Sequence, residues 1–370
     1  KTVNTQLLSG KFNPSTGTKV DFKRPHDYNT IRSAGGDISA AAKSDIIAGK
    51  ATGTVQEYFT AATEWSNIQE ALELDQLDQI LEPMARRLVT DLELDLAKFM
   101  RINTGLNYGA RGTAVDAWSD VAGAGAMMDS VGVPMSDNKY YLMNPFTTTS
   151  LASAQSGLNA ADGLVRTAFE KAQIASNFGG MKALTSNALS SYTSGSTTDR
   201  LGDLKTAPDA TYVTAKDTMQ QTMVIETLGT GTIEAGDQIQ VAGVNRLNIA
   251  TRQLILDATG AAVPWTGTVL SVVTIAGNEA TVVVSGAAIF EANGQYNNVD
   301  AAPAAGAVVT ILGAAATVYQ PNLFYTEQAF GLGTVKLPKL YSTDTVATTS
   351  DGMSIRVSKY SDGDANTQKI

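Results

Sequence analysis

The sequence has no cysteine in 370 residues and a single histidine, His26. Disulfides and thiolate metal sites are therefore excluded, and a zinc site lacks the nitrogen ligands it would otherwise use. A serine-histidine-aspartate triad would have to recruit His26, which sits beside Pro25 with no Gly-x-Ser-x-Gly elbow anywhere in the chain. Aromatic residues make up only 7 %, with three tryptophans, which gives little support for a sugar-binding groove between paired carboxylates. Apolar runs such as residues 282–284 are far too short to span a bilayer. No secretory signal pattern opens the chain, and Asn13-Pro14-Ser15 is a glycosylation sequon blocked by its proline. These features fit a cytoplasmic origin. A start at Lys1 without methionine implies that an N-terminal piece has been removed.

Nucleotide-binding signatures are missing too. Gly229-Thr230-Gly231-Thr232 and Gly123-Ala124-Gly125 give neither a phosphate loop nor Gly-x-Gly-x-x-Gly, and read as a turn and a tight helix contact. Asp362-Gly363-Asp364-Ala365-Asn366 lacks the spacing and closing glutamate of a calcium loop. No catalytic residue, cofactor or metal is expected.

What the chain does have is apolar residues, at 43 %, and few charges, at 17 %. Interface cores are depleted of charge, so this composition suits either a surface buried against partners or a well-packed monomer. The net charge of −9 argues against general nucleic-acid binding. Its distribution is uneven: residues 1–50 hold eight Lys/Arg against four Asp, a net of +4, and residues 57–95 hold ten Asp/Glu against two Arg, a net of −8. Two such segments attract each other between subunits, or they are ordinary solvated faces.

Residues 1–50 read as an extended arm and loop, with a strand at Lys19-Val20-Asp21-Phe22 and a turn at Gly35-Gly36. Leu77, Leu81, Met84, Leu88, Leu92, Leu96 and Phe99 share one helical face, which is expected to point to a core. Pro83 splits that pattern into a short helix ending near Leu81 and a long one from about Glu82 to Arg101, stopped by Gly105. Helices over residues 117–131 and 164–176 alternate with a strand at 140–143, and Asn144-Pro145 reads as a turn. Residues 190–198, rich in Ser, Thr and Gly, read as an exposed mobile loop. Composition changes near Thr206. Strand-like runs at 223–227, 238–241, 269–275, 280–284 and 307–312, punctuated by glycine, predict a β-barrel or sandwich inserted between α/β segments. A last strand is expected at 353–357.

Three strings carry a family resemblance: Gly231-Thr232-Ile233-Glu234-Ala235-Gly236-Asp237-Gln238-Ile239-Gln240-Val241-Ala242-Gly243-Val244-Asn245, then Asn322-Leu323-Phe324-Tyr325-Thr326-Glu327-Gln328-Ala329-Phe330, and Asp351-Gly352-Met353-Ser354-Ile355-Arg356-Val357. With the order of elements, they resemble the major coat proteins of tailed bacteriophages with the Hong Kong 97 fold, and within those the P-twenty-two-like proteins with an inserted domain. The resemblance implies an α+β capsid fold: N-arm and extended loop at 1–55, peripheral domain with spine helix at 56–115, axial domain at 116–205, inserted β-rich domain at 206–321, and a return to the axial and peripheral domains at 322–370. It implies a virion protein assembled in the host cytoplasm into hexamers and pentamers of itself. Its implied partners are a scaffolding protein, a portal, and packaged double-stranded DNA bound without sequence specificity; no membrane is involved. Lys19, Lys23 and Arg24 would then face Glu70, Glu73, Asp75 and Asp78 of a neighbouring subunit. A cellular compartment shell of the same fold and a secreted surface or adhesion β-protein are the alternatives.

Overall fold

The computed structural model describes residues 2–7, 19–55, 58–66, 77–156, 162–335, 337–341, 343–348, 353–362, 364 and 367–370. They form two units.

The first unit comprises residues 1–20, 53–97 and 327–370. Strand Asn4–Leu7 pairs in parallel with Gly331–Thr334, and Thr345–Thr348 pairs antiparallel with Ser354–Val357. Thr367–Lys369 lies between Tyr360–Asp362 and Glu64–Ser66. Most of the helix Leu77–Ile102 belongs here. It is a single helix, and the split expected at Pro83 does not occur. The proline removes one hydrogen bond, to the carbonyl of Gln79, close to the helix start, and nineteen further residues sustain the ladder beyond it. Exposed Glu82–Arg86 and Arg87–Asp91 pairs, one turn apart at 2.6 and 3.0 Å, support it. The leucine face is only half-buried at Leu81, Met84, Leu88, Leu92 and Leu96, and Phe99 is 54 % exposed. The expected core-facing stripe is therefore incompletely covered within one chain.

The second unit comprises residues 21–52 and 98–326. One part is a four-stranded sheet in the order Leu323–Thr326, Lys139–Met143, Met181–Thr185 and Asn177–Phe178, with the middle pair parallel. Helices Trp118–Val131, Pro145–Ser156 and Asp162–Lys171 accompany it. Val121, Met128, Tyr141, Met143, Leu151 and Met181 form their common core. Trp118–Val131 ends at Gly132, whose φ of +108° lets its N–H reach the carbonyl of Asp129. The expected turn at Asn144-Pro145 is instead a helix start, where Asn144 Oδ1 accepts the N–H of Thr147 at 2.7 Å and Pro145 opens the helix.

The other part is a closed antiparallel barrel. Around it run Gln220–Glu226, Ala280–Ser285, Pro264–Val269, Gln238–Asn245, Val308–Ile311 and Leu201–Leu204. Inward positions alternate with outward ones along Gln220–Glu226 and Ala280–Ser285, as a one-sided core requires. Met223, Ile225, Ile239, Val282, Val284 and Trp265 fill the interior. The Trp265 indole donates to the carbonyl of Gly286 at 2.9 Å. The strand expected over 269–275 is displaced. Pro264–Val269 enters the barrel, and Val273–Thr274 pairs outside it with Thr232–Ile233. Nor is the 190–198 segment free. Tyr192–Thr193 pairs with Val318–Tyr319, and Ser194 and Thr197 are buried. Its hydroxyls compensate for the lost water: Ser194 Oγ donates to the carbonyl of Ala314 at 2.6 Å.

Candidate functional site

Three features of the second unit stand out. The first is the loop between strands Lys19–Lys23 and Lys50–Thr54, which pair with each other. Asp21 ties the ribbon together, accepting from Lys50 Nζ at 2.9 Å and from Thr52 Oγ1 at 2.6 Å. That carboxylate raises the pKa of the Lys50 ammonium. The main-chain N–H of Arg24 donates to the carbonyl of Gly49 at 2.9 Å and its Nε donates to the carbonyl of Lys50 at 3.3 Å. Beyond this root, residues 28–40 are exposed throughout, including Tyr28, Ile31 and Ile38. A loop that carries apolar side chains into solvent is built to meet another surface.

The second feature is a buried cluster of charge. Asp237 is fully buried, and its Oδ2 accepts the N–H groups of Gly195 at 2.9 Å and Glu234 at 3.0 Å. Arg111 Nη2 donates to the carbonyl of Gly236 at 3.2 Å. The Arg101 guanidinium, from the last turn of the long helix, lies 4.5 Å from the centre of the Tyr192 ring, and that of Arg111 lies 5.5 Å from it. Arg200 donates to the carbonyls of Gly313 and Leu312, both at 3.1 Å. Burial lowers the pKa of Arg111 to about 10 and lowers that of Arg101, while Asp237 opposes both shifts. Three arginines around one carboxylate thus clamp the turn that enters strand Gln238–Asn245.

The third feature is the joint between the segment after the long helix and the barrel. Arg246, buried in the barrel wall, donates to the carbonyl of Gly105 and to the carbonyl and hydroxyl of Thr266, each at 2.9 Å in the case of Thr266. Among the described residues no carboxylate balances it, and burial lowers its pKa to about 10. Gly105 and Gly286 pass backbone to backbone there, so closely that a Cβ on Gly105 or Gly286 would stand 3.2 or 3.0 Å from the other's Cα.

Of the charged residues singled out in the sequence, Lys19 and Lys23 are exposed and Arg24 is half-buried at the loop root. Glu70, Glu73 and Asp75 lie outside the described residues, as does the side chain of Asp78. The Asp362–Asn366 string is also only partly described. Among the described residues no cluster of acidic and histidine side chains could hold a metal ion, and no helix is long and apolar enough to cross a membrane. The arginine clamp and the Arg246 joint escaped sequence reading. The turn at Gly236-Asp237 is legible, but its arginines come from 125 or more residues away in the case of Arg101 and Arg111.

Residues 1–370 match the family described as "P22 coat protein - gene protein 5". The chain belongs to that coat-protein family. The Major capsid protein of Acyrthosiphon pisum secondary endosymbiont phage 1 is 46 % identical to it over 375 residues, spanning 100 % of this chain and 88 % of that protein. Membership makes the chain a phage major capsid protein, a structural component of the virion shell. The α+β architecture with a closed barrel agrees with the expectation for this coat-protein family. Solved structures also align with it. The Mycobacterium phage Che8 structure matches at 15 % identity over 78 % of this chain and 86 % of the other, with a TM-score of 0.38. The mature capsid of bacteriophage PhiM1 matches at 11 % identity over 91 % and 86 %, with a TM-score of 0.36.

Proposed function

We propose that this coat-family chain closes into an icosahedral head of hexamers and pentamers around double-stranded DNA, assembled in the host cytoplasm with a scaffolding protein and a portal, and that it catalyses no reaction. The observation that carries this reading is that the chain has both an exposed loop tip over residues 28–40 and a helix whose leucine face is left half-buried. Both are surfaces that a second copy would cover. In this reading residues 1–55 are the arm and extended loop, 56–115 the peripheral domain, 116–205 the axial domain, 206–321 the inserted domain and 322–370 the return segment. Lys19 and Lys23, with Arg24 at the root, lie against Glu70, Glu73, Asp75 and Asp78 of a neighbour. Each pair contributes only about 0–1 kcal/mol near a surface, and repetition over many identical contacts makes assembly salt-dependent. The net charge of −9 suits a container whose wall must not hold DNA tightly.

Negative-stain electron microscopy of native particles, with a nuclease-protection assay, tests the shell. Closed particles with protected DNA are expected, and chains that stay monomeric in assembly buffers would refute it. Lys23→Glu combined with Arg24→Glu tests the charge contacts. Slower assembly at low salt is expected, and an unchanged rate would sink that part of the reading.

A further inference from the structure

The root of the extended loop is seated on segments that connect the barrel strands. Ile47 packs into a cluster of Tyr212, Ala287 and Ile289. Beside it the rings of Tyr212 and Tyr296 stack with centroids 3.7 Å apart and planes 11° from parallel. Gln295 Nε2 donates to the carbonyl of Asp45 at 2.6 Å, and the N–H of Lys50 donates to Asp217 Oδ1 at 3.2 Å. On the outgoing side of the loop, Asp27 forms an ion pair with Arg252. The same guanidinium donates to the carbonyls of Gln295 and Asn297. Arg252 holds this position with a φ of +57°, a conformation that costs a non-glycine residue about 1 kcal/mol or more. Both legs of the loop are thus tied to segments that connect the barrel strands, while residues 28–40 beyond them are exposed throughout.

A loop hung from a flexible root would lose much of its freedom on docking, and that loss would weaken every contact it makes. Fixing the root within the subunit removes most of this penalty beforehand. We propose that the connections between the barrel strands are the mount of the extended loop. Arg252 and Tyr296 are its positioning residues, setting the angle at which residues 28–40 are presented to a second copy of the chain. Self-assembly then depends on a joint made wholly inside one subunit, and that joint stays closed in the shell. The inference rests on the reading that the chain closes into shells through this loop.

Two variants of the full chain test it. Asp27→Arg places like charges together at a half-buried position on the surface, and tryptophan emission checks that the chain still folds. Its expected effect is faster hydrogen exchange over residues 45–50 and a concentration threshold for assembly raised roughly two- to fivefold, the range of one ion pair near a surface. The chain has no cysteine, so Asp27→Cys with Arg252→Cys can be joined selectively by a short bis-maleimide. The linked chain is expected to assemble at the threshold of the unlinked double variant, or below it. Linked chains that stay unassembled while unlinked ones form shells would show that the joint must open, and would overturn the proposal. So would faster exchange in Asp27→Arg with an unchanged threshold, or unchanged exchange. If the unsubstituted chain forms no particles, the shell reading falls together with this one; in the other failures only the mount falls.

Discussion

Arg200 Nη2 lies 3.7 Å from Asp237 Oδ1, with the arginine side chain 13 % exposed and the carboxylate fully buried. That separation is an ion pair without a hydrogen bond, and the bonds of Asp237 go instead to the N–H groups of Gly195 and Glu234. The carboxylate therefore holds two chain segments through its Oδ2 and offsets nearby cations through its charge. Removing one partner of a buried pair is costly because the other charge is left uncompensated.

Asp237→Ala should accordingly destabilise the barrel by about 3–5 kcal/mol. Asp237→Asn keeps an oxygen for the two amides but loses the charge, and should cost less than the alanine variant. Urea unfolding followed by tryptophan emission measures both. Equal losses in the two variants would show that the amide bonds, rather than the charge, are unimportant or fully replaced.

At the Arg246 joint the close approach of two backbones can be isolated from conformational strain. Gly286 has a φ of +85°, and a Cβ there would stand 3.0 Å from Gly105 Cα. Gly243 has a similar φ of +77° with nothing within 4 Å of its would-be Cβ. Gly243→Ala should cost about 1–2 kcal/mol from the left-handed backbone alone. Gly286→Ala should cost about 1–3 kcal/mol more, since main-chain atoms cannot swing aside as a side chain does. Thermal unfolding of the two variants side by side checks the difference.

Tyr141 supplies a pH signature. Its hydroxyl is buried in the α/β core near Asn322 Nδ2 at 3.4 Å, and burial pushes its pKa up to about 12 from the ordinary 10.0. Above pH 10 the unfolded chain releases this proton while the folded chain retains it. The stabilisation is therefore complete below pH 10 and is lost as pH rises toward 12, by at most about 2–3 kcal/mol. Arg111 and Arg246, lowered to about 10, act in the opposite sense, because the unfolded chain keeps their protons longer. Comparing Tyr141→Phe with the unsubstituted chain removes their contribution. The variant should lose less stability between pH 10 and 12, as read from urea midpoints, and parallel curves would contradict the assignment.

Several elements were legible because their signals are local. Alternation along Gln220–Glu226 and Ala280–Ser285 marks half-buried strands, and the spacing of Leu88, Leu92 and Leu96 marks one face of a helix. The glycine pair in Trp118–Val131 reads correctly as a close contact: the Tyr108 hydroxyl occupies the place of a Cβ on Gly123, and the carbonyl of Gly179 lies against Gly125. Where two local meanings competed, packing chose between them. Asn144-Pro145 suits a turn or a helix start, and a ladder of following residues made it a helix. Pro83 suits a break or a tolerated early position, and the helix ran through it. Residues 190–198 look solvated by composition, yet Val318–Tyr319 pairs with Tyr192–Thr193, and Ser194, Gly195 and Thr197 are buried while Ser191, Thr193, Ser196 and Thr198 stay exposed.

By itself the amino-acid sequence excluded thiol and multi-histidine chemistry, set out the helix and most barrel strands, and carried the strings that tie it to a coat-protein family. Those properties are matters of composition and of neighbours two to four residues apart. Which charges are buried, and what they hold, was decided by chain closure over far longer separations. Asp27 meets Arg252 across 225 residues, and Arg111 reaches Gly236 across 125. A guanidinium carries no local mark of whether it will face water or a carbonyl, because that outcome depends on which distant backbone groups the closed barrel leaves in need of a donor.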